Sequence, residues 1–183
     1  MTAIASPTPA ATSWTADKTH SHVGFAVKHM VVSTFRGRFE DYTGQLTASD
    51  DGALQIEGSV GVDSLVVKDE NLAAHLKSAD FFDSGAYPRI SFRSTSVDVD
   101  ADGDVVVEGE LTIKDNTHRV SARGTVSGPH VDIAGNDKLG VELEAVVDRR
   151  DYGLNWNAPL PKGGFALDND VKLQVSLELV REV

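Results

Sequence analysis

Six histidines and no cysteine set the chemical repertoire of this 183-residue chain. His20 and His22 stand two apart, a spacing that on one strand face lets both imidazoles reach one metal ion. A further ligand from elsewhere would be required and His29 has the opposite parity, so the simpler reading has His20 hydrogen-bonding a neighbouring strand; no metal site is expected. His29 shares the parity of Phe25 and Val27. A polar ring on an apolar strand face has two readings: it hydrogen-bonds the polar head of a bound molecule whose tail runs along Phe25 and Phe39, or it is a core histidine satisfied by backbone or a tyrosine hydroxyl. Arg36 and Arg38 fall on the wet face, and Arg149 with Arg150 makes a second basic pair. All four read as solvated charges, with cross-strand pairing to Glu142 or Glu144 as the alternative.

The rest of the chain carries no enzyme signature. It lacks a nucleophile elbow, a glycine-rich phosphate loop before a helix, and a zinc-type histidine pair on a helix. Absence of cysteine removes disulfide and thiolate chemistry. A formal net charge of −11 argues against nucleic acid or an anionic membrane surface as the main partner.

The elements that position these residues are strands. From Trp14 apolar and polar residues alternate almost without pause, with Val23, Phe25 and Val27 on one apolar face and Phe35, Gly37 and Phe39 on the next. Further strands follow at Leu54 to Val62, from Ile90 and Phe92, at Val105 to Ile113, Val120 to Val126, Leu139 to Val147 and Val171 to Leu179. Asp51-Gly52, Asp102-Gly103 and Asp115-Asn116 mark turns between them. One segment breaks the pattern: over 69–82, Leu72, His75, Leu76 and Ala79 recur at helical spacing, and Tyr87-Pro88 ends it. The expected fold is all-β, a long antiparallel meander with one short helix, which covers its apolar face as a sandwich or by closing into a barrel. Glycines on the apolar parity, at Gly37, Gly58, Gly109 and Gly124, favour closure. An eight-stranded barrel either fills with side chains or holds one small ligand.

Asp17, His20-Ser21, Phe25, His29 and the Arg36-Gly37-Arg38-Phe39 run resemble the opening of the YceI-like family. The resemblance continues in order through His75-Leu76 with Asp80-Phe81-Phe82, Tyr87-Pro88, Phe92, Gly109-Glu110-Leu111-Thr112-Ile113, and Arg149 with Asp151-Tyr152-Gly153-Leu154. It implies an extended lipocalin-like antiparallel eight-stranded barrel spanning 14–183, with an apolar tunnel that binds a polyisoprenoid, quinone-type or comparable amphiphilic lipid. The tunnel residues expected from strand parity are Phe25, Val27, His29, Phe35, Phe39, Phe92, Leu111, Leu143, Leu173 and Val175. Leu76 and Phe82 from the helix line a portal or plug one end, and Leu154 and Trp156 come from a loop rich in Asn, Pro and Gly, where Trp156 is placed to act as a lid.

Residues 1–13 read as a disordered leader without the features of a secretory signal. No segment approaches the roughly 18 apolar residues of a membrane span. Many family members are periplasmic and homodimeric; here the expectation is a cytoplasmic, non-catalytic lipid carrier without cofactor or stable membrane insertion, and homodimerisation is open. The alternative is a structural or interaction barrel whose core is filled and whose function lies in dimerisation or surface binding. Interior volume separates the two.

Overall fold

The computed structural model describes residues 11–182. Most of the stretch read as a leader lies outside these, but its end joins the fold: β1 (Thr12–Ala16) starts two residues before Trp14. There follow β2 (His22–His29), β3 (Ser33–Phe39), β4 (Tyr42–Ala48) and β5 (Leu54–Gly61). A short 3-10 turn, Val62–Ser64, then leads to β6 (Leu65–Val66) and α1 (Glu70–Lys77). The long hairpins are β7 (Arg89–Val99), β8 (Asp104–Ile113), β9 (Asn116–Val131), β10 (Asp137–Asp148) and β11 (Leu167–Arg181), with a 3-10 turn, Arg149–Tyr152, after β10.

These eleven segments occupy eight barrel positions. Both β1 and β2 pair with β11, β4 pairs with β1 while β3 pairs with β2, and β5 with β4 while β6 pairs with β3. Each of those three positions is therefore one strand interrupted by a short break. The remaining hairpins run antiparallel from β5 through β7, β8, β9 and β10 to β11, and the β1–β11 pairing closes the sheet on itself. Closure removes the sheet's free edges except at the two-residue β6, which pairs with β3 alone, and it puts every inward-facing side chain into a single interior. Tyr42 braces the break between β1 and β2: its hydroxyl donates to the Ser21 carbonyl at 2.8 Å, with the Lys18 carbonyl at 3.1 Å.

The opening stretch thus holds three strands where two were expected, because Glu40 and Asp41 interrupt the pairing. The helix is shorter than 69–82. Asp69 caps it by accepting a hydrogen bond from the Leu72 amide, and Ser78 ends it in an extended conformation with its hydroxyl on the His75 carbonyl. Phe81 and Phe82 follow in tight turns rather than in the helix. β11 extends beyond 171–179 at both ends, and β9 runs on through Gly128-Pro129.

Register puts glycine where aromatic rings lie. Phe25 pairs directly with Gly37, and a Cβ built on Gly37 would stand 2.6 Å from the tip of the Phe25 ring. The Phe92 ring likewise lies over Gly109, two residues along the neighbouring strand from its register partner Leu111. The rings therefore lie over the neighbouring strand, where any larger residue would push them away.

All the loops at one end of the barrel are short turns. At the other end gather the β2–β3 hairpin, α1 with the segment to Tyr87, the β8–β9 turn, and the connection from β10 to β11. The short-turn end is solid: Trp14, Leu46, Val105, Val107, Leu139, Val141 and Leu179 are all buried and packed into one core. Among the described residues no helix is long and apolar enough to cross a membrane.

Candidate functional site

The loop half of the barrel is hollow. A cavity of about 480 Å³ lies above the packed floor, and none of the seven floor residues named above reaches its wall. Strands β2 and β3 contribute Phe25, Val27, His29, Phe35 and Phe39, while β7, β8, β10 and β11 contribute Phe92, Leu111, Leu143, Leu173 and Val175. Leu76, Phe82, Leu154 and Trp156 complete the expected set, so strand parity and the helical stripe converge on one space. Ile113, Val120, Ala122, Ala145, Val147 and Leu177 also line it. Their alternation carried the same signal as their neighbours'.

Aromatic rings organise one side. Phe25 stands 6.2 Å from Phe35 and 6.1 Å from Phe39, and Phe82 meets both Phe25 and Phe39 edge-on. Tilted and edge-on pairs of this kind add about 0.5–1.5 kcal/mol each beyond area burial. Phe82 hangs from the turns after α1 and so ties the cover to the wall. Trp156 performs the matching task from the other loop: its ring stacks edge-on to His75 at 4.9 Å and lies 5.4 Å from Phe81. Helix and loop meet through this contact to roof the cavity. The two large apolar wall residues that are exposed, Met30 at 41% and Trp156 at 37%, both stand at this end.

Arg149 is not the solvated charge expected from the sequence. It is 5% exposed and cross-links the loop: Nε donates to the Asp168 carbonyl, Nη1 to the Leu154 and Trp156 carbonyls, and Nη2 reaches Asn169 Oδ1. Burial pulls its pKa below the ordinary arginine value. A planar fork of five donors is the side chain able to serve three backbone carbonyls at once. Arg150 is the solvated partner, held by Asp148, whose carboxyl falls to about 2 chiefly through that hydrogen bond. Glu142 and Glu144 pair instead with Ser176, and with Lys172 and Gln174.

Within the loop, Asn157 closes a small hairpin by accepting from the Leu167 amide and donating to the Leu167 carbonyl. Tyr152, the last residue of the 3-10 turn, is 1% exposed, lines the cavity and packs edge-on against His118 at 5.2 Å. Burial, with the Asp151 charge second, raises its phenol pKa to about 12. Sequence placed Tyr152 only in a motif; a turn residue has no periodicity that would point it inward.

His20 and His22 do not share a strand face, since His20 sits in a bend before β2. The His20 Nδ1 lies 3.0 Å from Asp17 and 3.7 Å from Glu178, three groups within metal-ligand reach of one another. Lys138 Nζ already contacts both carboxylates, at 3.3 and 2.8 Å, in the place a cation would take. The cluster is an ion-pair network. Hydrogen bonding from His20 is the largest cause holding Asp17 well below the usual carboxylate range, and the same bond raises His20.

A closed eight-stranded barrel with a packed floor and a roofed apolar cavity is the class of β-barrel that has room for a small ligand. Within that class the chain belongs to the YceI-like domain family, whose profile matches residues 14–179. A UPF0312 protein of Staphylococcus aureus strain N315 is 32% identical over 173 residues, covering 91% of this chain and 96% of its own length. Among solved structures, Burkholderia cenocepacia BcnA superposes with a TM-score of 0.75 at 20% identity, over 89% of this chain and 98% of that one. The Campylobacter jejuni YCEI protein gives 0.70 at 22%, over 91% and 96%. A domain from Saccharophagus degradans, described as polyisoprenoid binding, gives 0.66 at 13%, over 92% and 98%. These likenesses establish the shared fold.

Proposed function

We propose that the protein is a non-catalytic carrier of one long-chain amphiphile of isoprenoid or alkyl type, held with its tail in the barrel. The observation that supports this reading is the cavity itself, about 480 Å³ bounded by phenylalanines, leucines and valines inside a barrel that is otherwise tightly packed. A filled-core interaction module has no use for such a space. The polyisoprenoid-binding description of the Saccharophagus degradans neighbour points to the same ligand class.

Capacity narrows the ligand further. At roughly 30 Å³ for each water-sized group in a liquid, the space takes at least about 16 such groups. Each buried methylene contributes about 0.8 kcal/mol, so a full cavity supplies about 13 kcal/mol against an association cost of some 4–15 kcal/mol. A tail must therefore nearly fill the space to bind, and a much longer one leaves its excess outside. Chains of three to four isoprene units, or alkyl chains of similar size, match the volume. Denaturing mass spectrometry of an organic extract of purified protein tests the proposal: a stoichiometric lipid of this size is expected. A clean extract, together with no uptake of added farnesol, geranylgeraniol or palmitate, would refute it.

A further inference from the structure

Of the three tyrosines, two contrast sharply. Tyr42 is buried and its hydroxyl is bonded to backbone carbonyls. Tyr152 is buried more completely, and among the described residues its hydroxyl is the one buried side-chain polar atom without a hydrogen-bond partner. Folding normally pairs such a group, because leaving it unpaired is costly. The ring is fixed against His118, whose Nε2 is engaged at 2.9 Å with the Asp151 carbonyl, so neighbouring residues are arranged around the phenol without satisfying it. Tyr152 also lines the cavity, at the loop end.

We infer that the Tyr152 hydroxyl is a ligand-recognition group, donating a hydrogen bond to an oxygen carried by the bound amphiphile. This rests on the carrier reading above and adds a chemical requirement to it: the tail occupies the apolar space over the floor, and a carbonyl, hydroxyl or carboxylate oxygen sits at the loop end beside Tyr152. Arg149, in the same turn, offers no competing donor. Its buried guanidinium lines the same wall but is already bonded to the loop's own oxygens, which leaves the Tyr152 hydroxyl as the unpartnered donor there. A pure hydrocarbon of the same length gains the burial and misses the bond.

The test is a competition. Wild-type protein and Tyr152→Phe are each equilibrated with an equimolar mixture of geranylgeraniol and phytane, an alcohol and a hydrocarbon of equal carbon count. Protein is then separated by gel filtration and the retained compounds are quantified by gas chromatography. Wild type is expected to retain the alcohol preferentially, and Tyr152→Phe to lower the alcohol-to-hydrocarbon ratio about three- to tenfold with phytane retention unchanged. The ligand-free variant should melt no lower than wild type, since no protein hydrogen bond is removed. An unchanged ratio overturns the inference. So does a variant that melts well below the parent and loses both compounds, which would mark the hydroxyl as structural. Retention of phytane alone by wild type also defeats the oxygen requirement while leaving the carrier reading intact; retention of neither compound defeats the carrier reading itself.

Discussion

Replacing Arg149 by methionine should release the roof of the cavity. The side chain keeps an unbranched apolar stem, but the carbonyls of Leu154, Trp156 and Asp168 lose their donors. Leu154 is buried, so its orphaned carbonyl costs about 1–3 kcal/mol, and the other two, partly hydrated once freed, add about 1 kcal/mol each. The sum is about 3–5 kcal/mol, the range seen when a buried charged contact is broken. For a chain of this size that corresponds to a fall in Tm of roughly 6–20 °C. Urea unfolding gives the stability change, and amide hydrogen exchange across 153–166 reports whether the loss is centred on the loop. Arg149→Lys should recover less than half, because a point charge cannot replace a planar fork. A variant within 1 kcal/mol of the parent, with unaltered exchange in that segment, would refute the role of Arg149 as the pin of the roof.

Two further perturbations probe the wall and the outer network. Gly37→Ala places a Cβ 2.6 Å from the Phe25 ring, so it should cost about 1–3 kcal/mol and shrink the space available to a tail, seen as a lower urea midpoint and a shift toward shorter retained lipids. The raised pKa of His20 means that its contribution is complete below its ordinary value of 6.5 and is lost as pH rises through the folded value. The urea midpoint of the parent should therefore decline over that window, and His20→Ala should flatten the decline; parallel profiles would dismiss the ion-pair role. Asp17 acts in the opposite sense, its contribution present above its ordinary value of 3.8 and lost on acidification through its depressed folded value.

Much of the architecture was legible in alternation. Phe25, Val27, Phe35 and Phe39 point inward because a period of two leaves no other face for them, and the glycines opposite the rings marked where strands approach closely. The breaks within the first three barrel positions were not legible, since Glu40-Asp41 and Val62–Ser64 interrupt pairing without interrupting the pattern. The polar end of the cavity was hidden for a different reason. Arg149 is buried by a loop that returns some twenty residues later at Asp168 and Asn169, and two adjacent arginines with opposite fates look alike in sequence. Tyr152 is oriented by a 3-10 turn whose direction depends on that same return.

The packed floor has a consequence for traffic. A barrel sealed at its short-turn end is a cul-de-sac, and whatever enters must leave by the way it came. In the proposed binding mode, tail innermost, the oxygen-bearing end would be the last part to arrive and the first to depart, and so the part offered to any acceptor. For the proposed carrier, delivery would require the roof to lift rather than a second door to open, and the Arg149 and Trp156 contacts that hold the roof down would set how long the cargo stays.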